Sequence, residues 1–422
     1  MNNGWTGGQY SVFRVCFGAY LCVHFAALIP WGAEVFSSQG VLADKSLSPL
    51  IHLFPNVLAL WDAPVIVTVL LCVATGLSLL FALGWHDRLA AVAIWYIGAC
   101  LFGRNPLTAN PALPFLGWML LAHVFLPPAP YGSLAARGRV DPGNNWRMPD
   151  AIFIAAWFVM ALGYTYSGYT KLVSPSWVDG TALERVLHNP LARTGWVHDL
   201  ALSLPAGFFK LATWGGLALE LCFAPLALFR VMRPIIWGLM LLLHLGLIVL
   251  IDFADLSLGM VMLHFFTFNP AWVRPLPCPA PRKEGEADQP EMIFYDGHCG
   301  LCHRAVRFVL AEDRSGATFR FAPLDSDAFR ASIPEEERAG LPDSMIVRTA
   351  DGQTLTQARG VLYIMRRLGG LWRVIATVAL IVPPGLMDAG YAGVARIRHR
   401  LFARPVEACP ILPAGLRGRF DY

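Results

Sequence analysis

Met292-Ile-Phe-Tyr-Asp-Gly-His-Cys-Gly-Leu-Cys-His303 is the stretch on which the reading of this chain turns. Apolar residues suited to a strand give way to the turn pair Asp296-Gly297. Next comes Cys299-Gly300-Leu301-Cys302, after which apolar residues recur at helical spacing through Val306 and Val309. A Cys-x-x-Cys pair thus opens a helix directly after a strand. A helix N-terminus favours the anionic form of a thiol, which makes Cys299 the expected nucleophile. Cys302, one turn on, is placed to resolve a mixed disulfide. Asp296 either orients the pair and accepts a proton or caps the helix. Two other readings stand beside the redox one. Zinc needs a second pair of ligands, and Cys278 and Cys409 are distant in sequence, so no metal site is expected. The run continues to His303, and Cys-x-x-Cys-His is also a c-type haem attachment pattern, which belongs outside the membrane.

Downstream, the spacing predicts strands over 318–322, 344–348 and 354–356, a helix over 357–368 and a basic helix over 387–401. The apolar run 371–382 is too short to span a bilayer and reads as a core or interfacial helix. Upstream, residues 274–291 read RPLPCPAPRKEGEADQPE, a linker rich first in proline and then in charge.

Before the linker the character changes. Hydrophobic residues make up 56% of the 422 and charged residues 15%, against roughly 45–50% and about 25% in soluble domains. That composition excludes a wholly soluble enzyme, a disordered chain and a disulfide-stapled secreted one. A net charge of +4 with no basic block gives no reason to expect nucleic-acid binding. Apolar runs at 11–29, 64–83, 89–102, 112–126, 151–169, 207–229, 234–251 and 256–268 predict a polytopic helical membrane domain of about eight spans. Loop charges such as Arg88, Arg137, Arg139, Arg147, Arg230 and Arg233 place the N-terminus inside. Eight spans then return the C-terminal domain to the cytoplasm, in what is expected to be a bacterial inner membrane. The domains expected are 1–273 (membrane), 274–291 (linker) and 292–422 (redox).

Ionisable residues within apolar runs are costly and nominate themselves for function. Here they are Arg14, His24, His123, Glu220, His244 and His264, with Glu220 a partner for Arg14 or for a histidine. Each also reads as an ordinary interhelical polar contact. Lys171, at the end of the fifth run, either snorkels to the interface or, if partly buried, acts as a base.

Tyr295-Asp296-Gly297-His298-Cys299-Gly300-Leu301-Cys302 resembles the DCC family of thiol–disulfide oxidoreductases. The resemblance runs over about residues 292–413 and includes the strands at 320–323 and 343–347, the closing pattern of Asp388, Tyr391, Arg396, Arg398 and Phe402, and Cys409-Pro410. The resemblance implies an α/β thioredoxin-like fold, with Cys299 as nucleophile, Cys302 as resolving thiol and Asp296 as the motif acid. Cys409 is then structural or a third redox thiol. No cofactor is required for such exchange, and the substrate is a thiol or disulfide of a protein or small molecule.

Gly168-x-x-Lys171-Leu172 with Trp177-x-x-Gly180, Phe13-Arg14 with Phe17-Gly18, Glu220-Leu221 with Pro225, and His244 resemble the HTTM domain. This is the membrane module shared with vitamin K-dependent gamma-carboxylases. The resemblance covers about residues 8–272 and implies Lys171 as a base. A quinone would then be a membrane-domain ligand, with Arg14, Glu220 and His244 as its binding groups. Thr170 stands where that family has a second lysine; one extra residue before Trp177 and the lack of a large lumenal substrate-recognition domain after it argue against protein carboxylation itself. Three readings follow: a membrane-bound dithiol oxidoreductase coupled to a quinone or other lipid-phase partner, a carboxylase- or oxygenase-like enzyme using Lys171, and a bilayer-embedded scaffold for the redox domain.

Overall fold

All eight apolar runs fold as helices in the computed structural model, which describes residues 3–108, 110–279, 290–342, 344–402 and 413–421. Only four are long and apolar enough to cross a membrane: Gly7–Leu28, Pro64–Leu83, Asp150–Lys171 and Met232–Leu250. About eight spans is therefore not supported, and four candidates stand among the described residues, for two physical reasons. At 1.5 Å rise per residue, Leu113–Val124, Ala206–Leu221 and Ala254–Thr267 are shorter than the hydrocarbon core. Asp87–Arg104 has 18 residues but carries Asp87, Arg88 and Arg104. A fifth span arises only if Gly370–Ala379 and Pro384–Arg398, bent by 113° at Pro383-Pro384, count as one.

The chain divides into two units, one of Phe13–Leu126 and Pro149–Phe268, the other of Met1–Val12, Pro127–Met148 and Asn269–Tyr422. The first is helical. Pro64 starts its helix at N1 and Gly84 ends it at φ 69°, each where its backbone fits. Phe158, Leu162, Leu242 and Val249 point outward and are exposed. An apolar exterior on long apolar helices is consistent with a membrane protein.

The second unit holds a small mixed sheet in the order β2-β1-β3-β4. Its strands are β1 (Glu291–Tyr295), β2 (Phe319–Pro323), β3 (Ile346–Arg348) and β4 (Thr354–Thr356). β1 runs parallel to β2 and antiparallel to β3, which runs antiparallel to β4. Ile293 registers with Phe321 on one side and Val347 on the other. Side chains alternate between faces: Ile293, Tyr295, Phe319, Phe321 and Val347 face Val306, Val309 and Leu310 of the helix Gly300–Glu312. On the opposite face Phe294, Ala322 and Ile346 pack with Ile333. Each fully buried aliphatic side chain stabilises this core by about 1.5–3 kcal/mol. Cys409 and positions 280–289 of the linker lie outside the described residues.

Candidate functional site

The dithiol is built by the end of β1 and the turn after it. Asp296 accepts the His298 amide on its carboxylate at 2.8 Å, and its carbonyl accepts the Cys299 amide at 3.2 Å. His303 Nε2 donates to the Gly297 carbonyl at 2.8 Å, closing the turn from beneath. Cys299 is the N-cap of Gly300–Glu312, and its Sγ accepts the Cys302 amide at 3.4 Å. The sulfur therefore sits at the positive end of the helix.

Both sulfurs are sheltered: Cys299 is 0% exposed and Cys302 is 7% exposed. Burial pushes the Cys302 thiol up to about 12, and the neighbouring Cys299 pushes the same way. Arg398, charged and buried, pulls in the opposite direction. Its Nη2 lies 3.7 Å from Asp296 Oδ2. Arg398 belongs to the helix Pro384–Leu401, which also brings Tyr391 to the site, where its hydroxyl accepts the Met345 amide at 3.3 Å. Sequence reasoning gave neither Tyr391 nor Arg398 a role at the dithiol. They arrive from about a hundred residues downstream, within the closing pattern of Asp388, Tyr391, Arg396, Arg398 and Phe402 in the family resemblance, which carries no sign of what they face.

The helical unit holds the remaining nominated residues. Lys171 Nζ lies 2.5 and 2.6 Å from the two carboxylate oxygens of Glu220, and 4.4 Å from the centre of the Trp177 ring. Glu220 thus pairs with Lys171 rather than with Arg14 or a histidine. Gly168 makes that possible, since a Cβ there would stand 2.8 Å from the Leu221 nitrogen and 3.0 Å from Glu220 Cβ. One turn earlier, the Tyr164 hydroxyl is 2.8 Å from His244 Nε2 and 3.5 Å from His264 Nδ1. His244 Nδ1 and His264 Nε2 are buried and have no hydrogen-bond partner among the described residues. Arg14, fully buried, donates from Nε to the Ala82 carbonyl at 3.4 Å, and its charge reaches Asp87 and His123.

Residues 293–404 match the family model of the DCC1-like thiol-disulfide oxidoreductases. The chain carries a DCC1-like domain at its C-terminal end. That domain contains Asp296, Cys299, Cys302, Tyr391 and Arg398. The chain is 29% identical over 133 residues to the uncharacterized protein YuxK of Bacillus subtilis (strain 168), covering 31% of this chain and 92% of that one. It is also 29% identical over 126 residues to a chloroplastic DCC family protein of Arabidopsis thaliana, covering 30% of this chain and 72% of that one. No solved structure matches.

Proposed function

We propose that this chain is a membrane-bound thiol–disulfide oxidoreductase that works through Cys299 and Cys302 on a thioredoxin-like fold. The observation that carries the reading is Cys299 Sγ capping the helix after β1, with the Cys302 amide donating to it. In the forward direction the Cys299 thiolate attacks one sulfur of a substrate disulfide. The S–S bond breaks, the leaving sulfur departs as a thiolate, and a mixed disulfide forms on Cys299. Cys302 then loses its proton and attacks Cys299 Sγ, releasing the second substrate thiol. The substrate gains two electrons and two protons, and Cys299 and Cys302 become a disulfide that a separate dithiol must reduce. A resolving thiol held at about 12 stays protonated until that step. Turnover of a disulfide substrate by the detergent-solubilised full chain tests the proposal. Cys299→Ser should abolish exchange, and exchange unchanged in that variant refutes it.

A second reading concerns the helical unit. The Lys171–Glu220 pair beside Tyr164 and His244 supports an HTTM-like site at which a quinone or another lipid-phase partner exchanges protons or electrons. On this reading the DCC1-like domain faces the cytoplasm of a bacterial inner membrane. Quinone retained by the purified protein, and lost in Lys171→Ala while dithiol exchange survives, is the expected result. Exchange without retained quinone in either form leaves the helical unit as an anchor.

A further inference from the structure

The helical unit holds a partly open cavity of about 760 Å³, within the range of small-molecule sites. Lys171 is not part of its lining, and its wall is overwhelmingly apolar, with Leu21, Phe25, Ile94, Trp95, Leu116 and Trp118 among its residues. Polar groups gather at one end. His24 Nδ1 is 2.8 Å from Asp255 Oδ1, and the Tyr20 hydroxyl donates to the same oxygen at 3.0 Å. Asn110 Nδ2 donates to Asp255 Oδ2 at 2.8 Å. His24, Asn110 and Asp255 all line the cavity.

A carboxylate can only accept, so His24 presents an N–H from Nδ1 to Asp255. Nε2 is the ring atom left over, and no group among the described residues bonds it. Asp255 is already met by three donors. The lining contains no Lys or Arg, so a carboxylate or phosphate head would meet Asp255 unopposed. What the site lacks is a neutral hydrogen-bond donor on an apolar body.

We propose that this cavity binds a hydroxyl-headed amphiphile, a lipid-phase alcohol or phenol whose O–H donates to His24 Nε2. The apolar body occupies the space beside Gly98, where a Cβ would meet only Phe25 Cζ at 3.9 Å.

The test uses the full chain in detergent with three radiolabelled probes: farnesol, its methyl ether and palmitate. Farnesol should bind saturably and about tenfold more tightly than the ether, which can only accept, and palmitate should not compete. His24→Phe should erase the preference for farnesol over the ether. Gly98→Leu, which fills the cavity without touching the polar end, should weaken both at least tenfold at an unchanged thermal midpoint. If His24→Phe does not fold, the Gly98→Leu result and the farnesol–ether ratio of the wild-type chain decide alone. Equal binding of farnesol and ether, tighter binding of palmitate, or indifference to Gly98→Leu overturns the proposal.

Discussion

Glu312, the last residue of the helix that Cys299 caps, accepts the backbone amide of Gly8 at 2.7 Å. The same carboxylate accepts from the Thr6 hydroxyl and, at 2.7 Å, from Trp372 Nε1. It is 1% exposed and faces donors alone. One end of the dithiol helix thus holds the sulfur, and the other holds the first turn of Gly7–Leu28. Removing the acceptor in Glu312→Ala strands the buried Gly8 amide and Thr6 hydroxyl together with the half-buried Trp372 indole, and should destabilise this unit by about 3 kcal/mol or more. Loss of near-ultraviolet ellipticity on heating would measure it.

Glu312 also sets a pH dependence. Burial pushes its carboxyl up against the lowering pull of its donors. A raised carboxyl holds its proton more tightly folded than unfolded. Its stabilising contribution is complete in acid, below the ordinary carboxyl range, and disappears as pH rises through the raised value. The thermal midpoint of the wild-type chain, relative to Glu312→Gln, should therefore climb as pH falls from 8 to 4.5. A constant difference would show that the carboxyl does not titrate in this window.

At the dithiol the expectation is kinetic. Cys302→Ser should trap mixed disulfides on Cys299, visible as adducts by mass spectrometry, while Cys299→Ser should cut exchange by at least a hundredfold. In Cys299→Ser the burial that dominates the Cys302 shift remains. Alkylation of Cys302 should accordingly rise about tenfold per pH unit from pH 7 to 10. Arg398→Met removes the opposing charge and should slow resolution severalfold, lengthening the life of the mixed disulfide.

Lys171 and Glu220 form a pair whose separation is costlier than its absence. Lys171→Met leaves a carboxylate among apolar helices and should cost about 3 kcal/mol. The double change Lys171→Met with Glu220→Gln should recover most of that. Thermal midpoints of the four forms give the coupling, and additive losses would mean the pair does not interact in the bilayer.

Gly168→Val tests the close approach that puts this pair together. Its Cβ would meet the Leu221 backbone at 2.8 Å, and backbone cannot swing aside. A loss of about 1–3 kcal/mol is expected, with little change in dithiol exchange. A neutral Gly168→Val would place the helices farther apart than described.

Local pattern carried much of this architecture. The helix Gln357–Leu368 and the strand Thr354–Thr356 lie where apolar spacing puts them, and the dithiol turn follows from Asp296-Gly297 and the cysteine spacing. Length was less legible than existence, because charged ends such as Asp87 and Arg104 cut into apolar runs that periodicity alone would extend. Pairings across long stretches of chain were not legible. Nothing near Glu220 points to Lys171, 49 residues away, and nothing near Glu312 points to Gly8, 304 residues earlier. Such partners are chosen by which helices pack, and a Gly168 that admits a neighbour looks in sequence like any other glycine.

The shelter around Cys299 has a practical side for anyone mapping which face of the membrane the sheet unit occupies. A maleimide that fails to reach Cys299 reports the protein wall around the sulfur before it reports any lipid barrier. Cys278, exposed on the same unit ahead of β1, is free of that ambiguity. A chain keeping Cys278 as its sole cysteine makes sidedness a question about the bilayer alone.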